Sequence, residues 1–120
     1  MLPKEQIDAI LDDLNILPGV LSSLVIEQRG MIIASKFTTE LQKDKIAALA
    51  SATLSSTKQT FDQLNIGDID HMLIESSKLK LFISKCKIGY LLIITQTNPN
   101  MGLIRTEINS TVKKINNINF

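Results

Sequence analysis

The reading of Ile46-Ala47-Ala48-Leu49-Ala50-Ser51-Ala52-Thr53-Leu54-Ser55-Ser56-Thr57 decides the architecture of this chain. With Phe61 and Leu64 beyond it, the stretch carries Ile46, Leu49, Ala50, Thr53, Leu54 and Thr57 within an arc of about 140° on a helical wheel. That spacing predicts a long amphipathic helix, running from near Leu41 to Leu64 and capped by Thr38-Thr39-Glu40. The opposite arc is less ordinary. It holds Ala47, Ala48, Ser51, Ala52, Ser55 and Ser56, with no charge from Ile46 to Thr57. The solvated back of a helix normally carries Lys and Glu, whereas small uncharged residues let a second element approach closely. Both sides of this helix are therefore expected to be packed.

On the N-terminal side, Pro3 suits a first helical position, and Ile7, Ile10, Leu11, Leu14 and Leu17 recur at helical spacing. Pro18-Gly19 ends that helix. Leu21 to Ile26 and Met31 to Ala34 then read as two strands. Between them Glu27-Gln28-Arg29-Gly30 fits a hairpin loop whose last residue is left-handed.

On the C-terminal side, Asn65-Ile66-Gly67-Asp68 breaks the long helix and three strand-like runs follow, Met72–Glu75, Leu79–Ile83 and Tyr90–Thr95. Their connections are too short for parallel crossovers, so the three form an antiparallel meander. Leu79, Leu81 and Ile83 alternate with Lys80, Phe82 and Ser84, while the last run is apolar on both faces, as a strand covered on both sides would be. Asn100 then caps a final helix with Met101, Ile104, Ile108, Val112 and Ile115 on one stripe. The expectation is an α+β fold of order α-β-β-α-β-β-β-α. All 120 residues form one domain.

Composition removes several classes of function. A net charge of +1 and lysines scattered mostly as singles offer no face for a phosphate backbone. With 4% aromatic residues and no Trp, base-stacking platforms are missing too, so no nucleic-acid partner is expected. No run approaches the ~20 apolar residues of a membrane span, and no signal peptide is legible, so the expected location is cytoplasmic. A single His and a single Cys cannot close a zinc site, and no phosphate-binding Gly-rich loop ending in Lys-Ser/Thr occurs. His71 reads as a strand-edge residue and Cys86 as a small strand-end residue. No catalytic residue, metal or cofactor is expected.

Five features in order carry a resemblance. They are the corner Pro18-Gly19-Val20, the turn glycine of Gly30-Met31-Ile32-Ile33-Ala34-Ser35, and the Ala-rich helix Ala47-Ala48-Leu49-Ala50-Ser51-Ala52. Gly89-Tyr90-Leu91-Leu92-Ile93-Ile94 and Asn100-Met101-Gly102-Leu103-Ile104-Arg105 complete the set. Over essentially its whole length the chain resembles the Roadblock / dynein light chain family. The resemblance implies a five-stranded antiparallel sheet sandwiched between a long central helix and two terminal helices. It further implies homodimers, or heterodimers within the family, with central helices side by side and sheets joined edge to edge. The implied work is that of a non-enzymatic scaffold or regulator of a small Ras-like GTPase, with a structural light-chain-type adaptor as the alternative.

On that reading the contact residues are Ala47, Ala48, Ser51, Ala52 and Ser55, then Lys58, Gln59 and Asp62, with Met72 and Ile74 on a sheet edge. Arg29, at the hairpin tip, has the reach of an arginine finger. An exposed turn arginine is ordinarily only solvated. A small-molecule sensor would need convergent polar groups in an apolar cavity, and the expected core is almost wholly aliphatic.

Overall fold

The computed structural model describes residues 1–37 and 42–120. Three helices and five strands follow one another as α1 (Pro3–Asn15), β1 (Val20–Ile26), β2 (Ile32–Phe37), α2 (Lys43–Leu64), β3 (His71–Glu75), β4 (Lys80–Cys86), β5 (Gly89–Thr95) and α3 (Met101–Asn116). Every strand lies within a residue or a few of its expected place, and the order is the expected one. The capping expected from Thr38-Thr39-Glu40 lies outside the described residues. Helix α2 has Gln42 at its N-cap position, without a side-chain cap bond.

The strands form one sheet in the order β2-β1-β5-β4-β3, antiparallel throughout. The meander of β3, β4 and β5 follows from its short turns. Strand β1 then pairs with β5, with Leu24 opposite Leu92 and Val25 opposite Leu91, which puts β5 at the centre. Its two-sided apolarity is thereby explained: Leu91 and Ile93 enter the core beneath α1 and α3, whereas Leu92 enters the core beneath α2. Burial of a Leu or Ile side chain is worth about 1.5–3 kcal/mol, so a strand with buried residues on both faces anchors both layers.

On the first face, Ile7, Leu11 and Leu14 of α1 and Ile104, Ile108 and Ile115 of α3 pack with Val25, Phe82, Leu91 and Ile93. On the second, Ala47, Ala50 and Leu54 of α2 pack with Leu24, Ile26, Ile83 and Leu92. Asn100 caps α3 as expected, its Oδ1 accepting from the Leu103 N–H at 3.0 Å. The periodicity gave no sign of the polar tie at the α1 end: the fully buried Ser23 hydroxyl donates to Asn15 Oδ1 at 2.6 Å, and Asn15 Nδ2 donates to the Lys36 carbonyl at 2.7 Å. One amide side chain thus fastens α1 to both strands of the hairpin.

The face that α2 turns to the sheet differs from the wheel reading. Leu49 and Leu64, expected in the core, are 67% and 61% exposed, and Ala47, expected on the outer arc, is 1% exposed. The buried line runs Ala47, Ala50, Leu54, with Phe61 half-buried, a rotation of about 60° from the expected stripe at 100° per residue. The cause is the β1–β2 hairpin. Gly30, in the left-handed region at φ +94°, lies so close to α2 that a Cβ there would sit 2.9 Å from Ser51 Cβ and 3.3 Å from the Ala47 carbonyl oxygen. A small side chain at 51 suits that approach; Ala47, one turn back, is buried with it and the larger Leu49 is carried out.

Candidate interaction surface

The hairpin tip is built to hold still. Glu27 Oε1 accepts from the Arg29 N–H at 2.8 Å and the Met31 N–H at 3.1 Å, while the Gly30 N–H donates to the Glu27 carbonyl. The Ser51 hydroxyl then donates to the Gln28 carbonyl at 3.2 Å, tying the tip to α2. Two of the expected contact residues, Ala47 and Ser51, are thereby accounted for inside the subunit: Ala47 is buried and Ser51 is half-buried beneath the tip. Substituting Ser51 by Leu is expected to push the tip away and cost about 1–3 kcal/mol, the usual penalty of overpacking. Ser55→Leu, one turn on at an exposed site, should shift the urea midpoint by almost nothing. Equal midpoints for the two variants would contradict this packing.

The remaining expected residues of α2 are exposed: Ala48, Ala52, Ser55, Lys58, Gln59 and Asp62. Leu49, 67% exposed, joins them, and from Ile46 to Thr57 this surface still carries no charge. Wheel reading alone missed Leu49. The signal that could have found it is the spacing of Ala47, Ala50, Leu54 and Phe61, which outlines a core line only when alanine is counted as a packing residue.

Toward its C-terminal half the helix meets the hairpin tip. Arg29, Gln28, Leu54, Ser55, Lys58 and Tyr90 surround a shallow cavity of about 250 Å³. The structure thus brings Arg29, remote in sequence, beside Ser55 and Lys58. Helix α2 ends at Asn65, left-handed at φ +54°, and the following loop is pinned to β4 by the Lys85 N–H on the Asp70 carbonyl and by Lys85 Nζ on Asp68 Oδ2, 3.2 Å apart.

That loop delivers β3, the edge strand opposite β2. Met72 is half-buried and packs against the α2-side core. Ile74 pairs with Leu81, which also packs against that core. Residues directly opposite in an antiparallel pair share a face, so Ile74, 40% exposed, lies on the α2 side of an edge strand. An edge strand leaves a row of unpaired backbone groups, and β3 contains neither a Pro nor a Lys to blunt it.

His71 opens β3, with Nδ1 2.9 Å from Ser84 Oγ. Burial pushes the Cys86 thiol above its ordinary range, against the smaller opposing effect of backbone hydrogen bonds from Ile88 and Gly89, which disfavours the thiolate. Among the described residues no cluster of His, Cys, Asp and Glu could share a metal ion, and no helix is long and apolar enough to cross a membrane.

The model of the family described as Roadblock/LC7 domain matches residues 6–96. A protein of Methanocaldococcus jannaschii is 28% identical over 109 residues, 91% of this chain and 96% of its own length. Among solved structures, Myxococcus xanthus MglB superposes with a TM-score of 0.87 at 16% identity, over 94% of this chain and 86% of that one. A structure described as MglB with tetrameric arrangement gives 0.87 at 14% identity, over 97% and 89%. At these identities the structural matches establish a shared fold.

Proposed function

The chain belongs to the Roadblock/LC7 domain family, and from that premise we propose that residues 1–120 work as one domain, a homodimeric, non-enzymatic platform for a small Ras-like GTPase. One observation carries the proposal: the outer face of α2 is uncharged from Ile46 to Thr57, exposes Leu49, and lies on the same side of the sheet as Ile74 of the edge strand β3. For a lone subunit both features are liabilities. A two-fold axis beside α2 removes them together, because an isologous contact brings each α2 against its twin and each β3 edge against the other. Ala48, Leu49 and Ala52 are the central contacts, with Met72 and Ile74 at the strand edge. The tetrameric arrangement in the name of the MglB structure supports assembly as a habit of this fold.

Helix positions left outside the seam present the platform. Ser55, Lys58, Gln59 and Asp62 continue the exposed side of α2, and Arg29 and Lys58 make its corner basic. The GTPase meets this surface. The readout is capture of a Ras-like GTPase on the immobilised chain, loaded with GDP or with a non-hydrolysable GTP analogue. Capture should depend on nucleotide and fall about tenfold in Lys58→Glu/Asp62→Lys, the loss of one or two well-placed polar contacts. Capture indifferent to nucleotide and to those substitutions would favour the light-chain-type adaptor instead. Arg29→Ala is expected to leave the GTPase's hydrolysis rate unchanged, since its guanidinium sits on an exposed turn.

A further inference from the structure

The second face of the sheet is incompletely roofed. Helix α1 packs on β1 and β2, and α3 packs on β4, so β3 extends beyond the helical layer. A groove runs along this margin. One part, about 290 Å³, lies between Leu73 and Phe82 on the strands and Arg105, Ile108 and Asn109 on α3. A second, about 640 Å³, continues past His71 and Asn109 to Lys87, Lys113 and Asn116. His71 and Asn109 line both parts, so the two adjoin.

Its walls are fixed by specific bonds. Ser84, 2% exposed at the floor, holds the His71 ring. Asn116 Oδ1 accepts from the Lys87 N–H at 2.7 Å, clasping the β4–β5 turn to α3. Its charge is lopsided. Arg105, Lys85, Lys87 and Lys113 line it against a single carboxylate, Asp70, a local balance of +3 on a chain whose total is +1. Lys85 is engaged by Asp68. Among the described residues, Arg105, Lys87 and Lys113 have no ion-pair partner.

We propose that this groove is a docking site for an acidic, amphipathic peptide segment of another protein. The floor of Leu73, Phe82 and Ile108 takes apolar side chains, while the cations of α3 and the β4–β5 turn take carboxylates. The groove falls within the size range of built ligand sites. A nucleic acid fits worse, since the one exposed ring that lines the groove, His71, is held by Ser84 and the Phe82 ring is buried, which leaves no platform for successive bases. The groove opens on the side of the sheet opposite α2, so it is independent of the platform described above and stays open in a dimer built on α2.

The test uses the full chain and two fluorescein-labelled peptides, one alternating Glu and Leu, the other alternating Lys and Leu. Fluorescence anisotropy should show the Glu–Leu peptide bound and the Lys–Leu peptide not. Affinity should drop at least about tenfold in Arg105→Glu/Lys113→Glu, and severalfold on raising ionic strength from about 0.05 to about 0.5 M. Both residues are exposed, so circular dichroism should report an unaltered fold in that variant. Lys58→Glu, on the other side of the sheet, should bind as the parent does. Absence of binding, equal binding of both peptides, or undiminished binding to the double variant overturns the proposal. A changed oligomeric state in the double variant does so too, because the groove would then be a contact between copies. The peptide-binding outcomes are independent of whether α2 forms the dimer seam, which the mass of the α2 variants reads separately.

Discussion

Leu49→Arg is expected to turn a dimer into a folded monomer, halving the mass measured by light scattering while leaving circular dichroism and the urea midpoint of the subunit nearly unchanged. The separation of the two effects is what makes the test sharp. In a lone subunit Leu49 is already 67% exposed, so an arginine there displaces little packing and should alter stability by no more than about 0.5 kcal/mol. In a two-fold seam the same position is used twice. Two leucines that are each 67% exposed in the lone subunit have about 2–4 kcal/mol of transfer energy to lose. Two desolvated guanidinium groups without partners add to the loss. Dissociation should therefore strengthen by on the order of 10²-fold to 10⁴-fold. Ala48→Arg and Ala52→Arg should act in the same direction. Ser51→Arg is a poor probe, because it would strike the hairpin tip within the subunit before it met a second copy. A parent chain that is monomeric at every concentration tested would remove the seam and the platform with it.

Element order was readable because the signals were local. Turn chemistry separated the strands, alternation assigned their faces, and short connections forced the meander to be antiparallel. The place of β5 could also be read, since only a central strand covered twice is apolar at Leu91, Leu92, Ile93 and Ile94 alike. The facing of α2 was not readable. A wheel weights side chains by size and polarity, and by that rule Leu49 and Leu64 belong inside. What turned the helix was a contact between Gly30 and Ser51, residues on different elements, and no periodicity within one element reports such a contact. The candidate surface was accordingly legible as a helix with an uncharged back, and even as a list that included Ala48, Ala52 and Ser55. The exchange of Ala47 for Leu49, the arrival of Arg29 beside Lys58, and the groove along α3 required the tertiary structure. Ser23 and Asn15 make the same point, since each looks like a surface polar residue until the hairpin and α1 are brought together.

Gly89→Ala is expected to lower the thermal midpoint by about 10 °C or more, corresponding to a loss of roughly 3 kcal/mol or greater. Gly89 pairs with Cys86 across the β4–β5 turn and is fully buried at its junction with β1. At φ +152° its backbone is one that residues with a side chain rarely adopt, and a Cβ placed on it would sit 2.0 Å from the Ile26 carbonyl oxygen and 2.8 Å from Glu27 Cα. Both are backbone atoms, so no rotamer change relieves the clash. Either β1 withdraws from β5 or the turn deforms. The first route breaks the pairing of Ile26 with Tyr90 and reaches Ile26 on the α2-side core. It also shifts the adjoining hairpin tip, which Ser51 holds to α2. Gly67→Ala separates conformational strain from collision, because Gly67 is left-handed at φ +93° with nothing within 4 Å of its would-be Cβ. Its cost should be strain alone, about 1 kcal/mol. Calorimetry on the two variants decides the matter: equal losses would mean that the close approach of β1 to the β4–β5 turn is not what demands glycine at position 89.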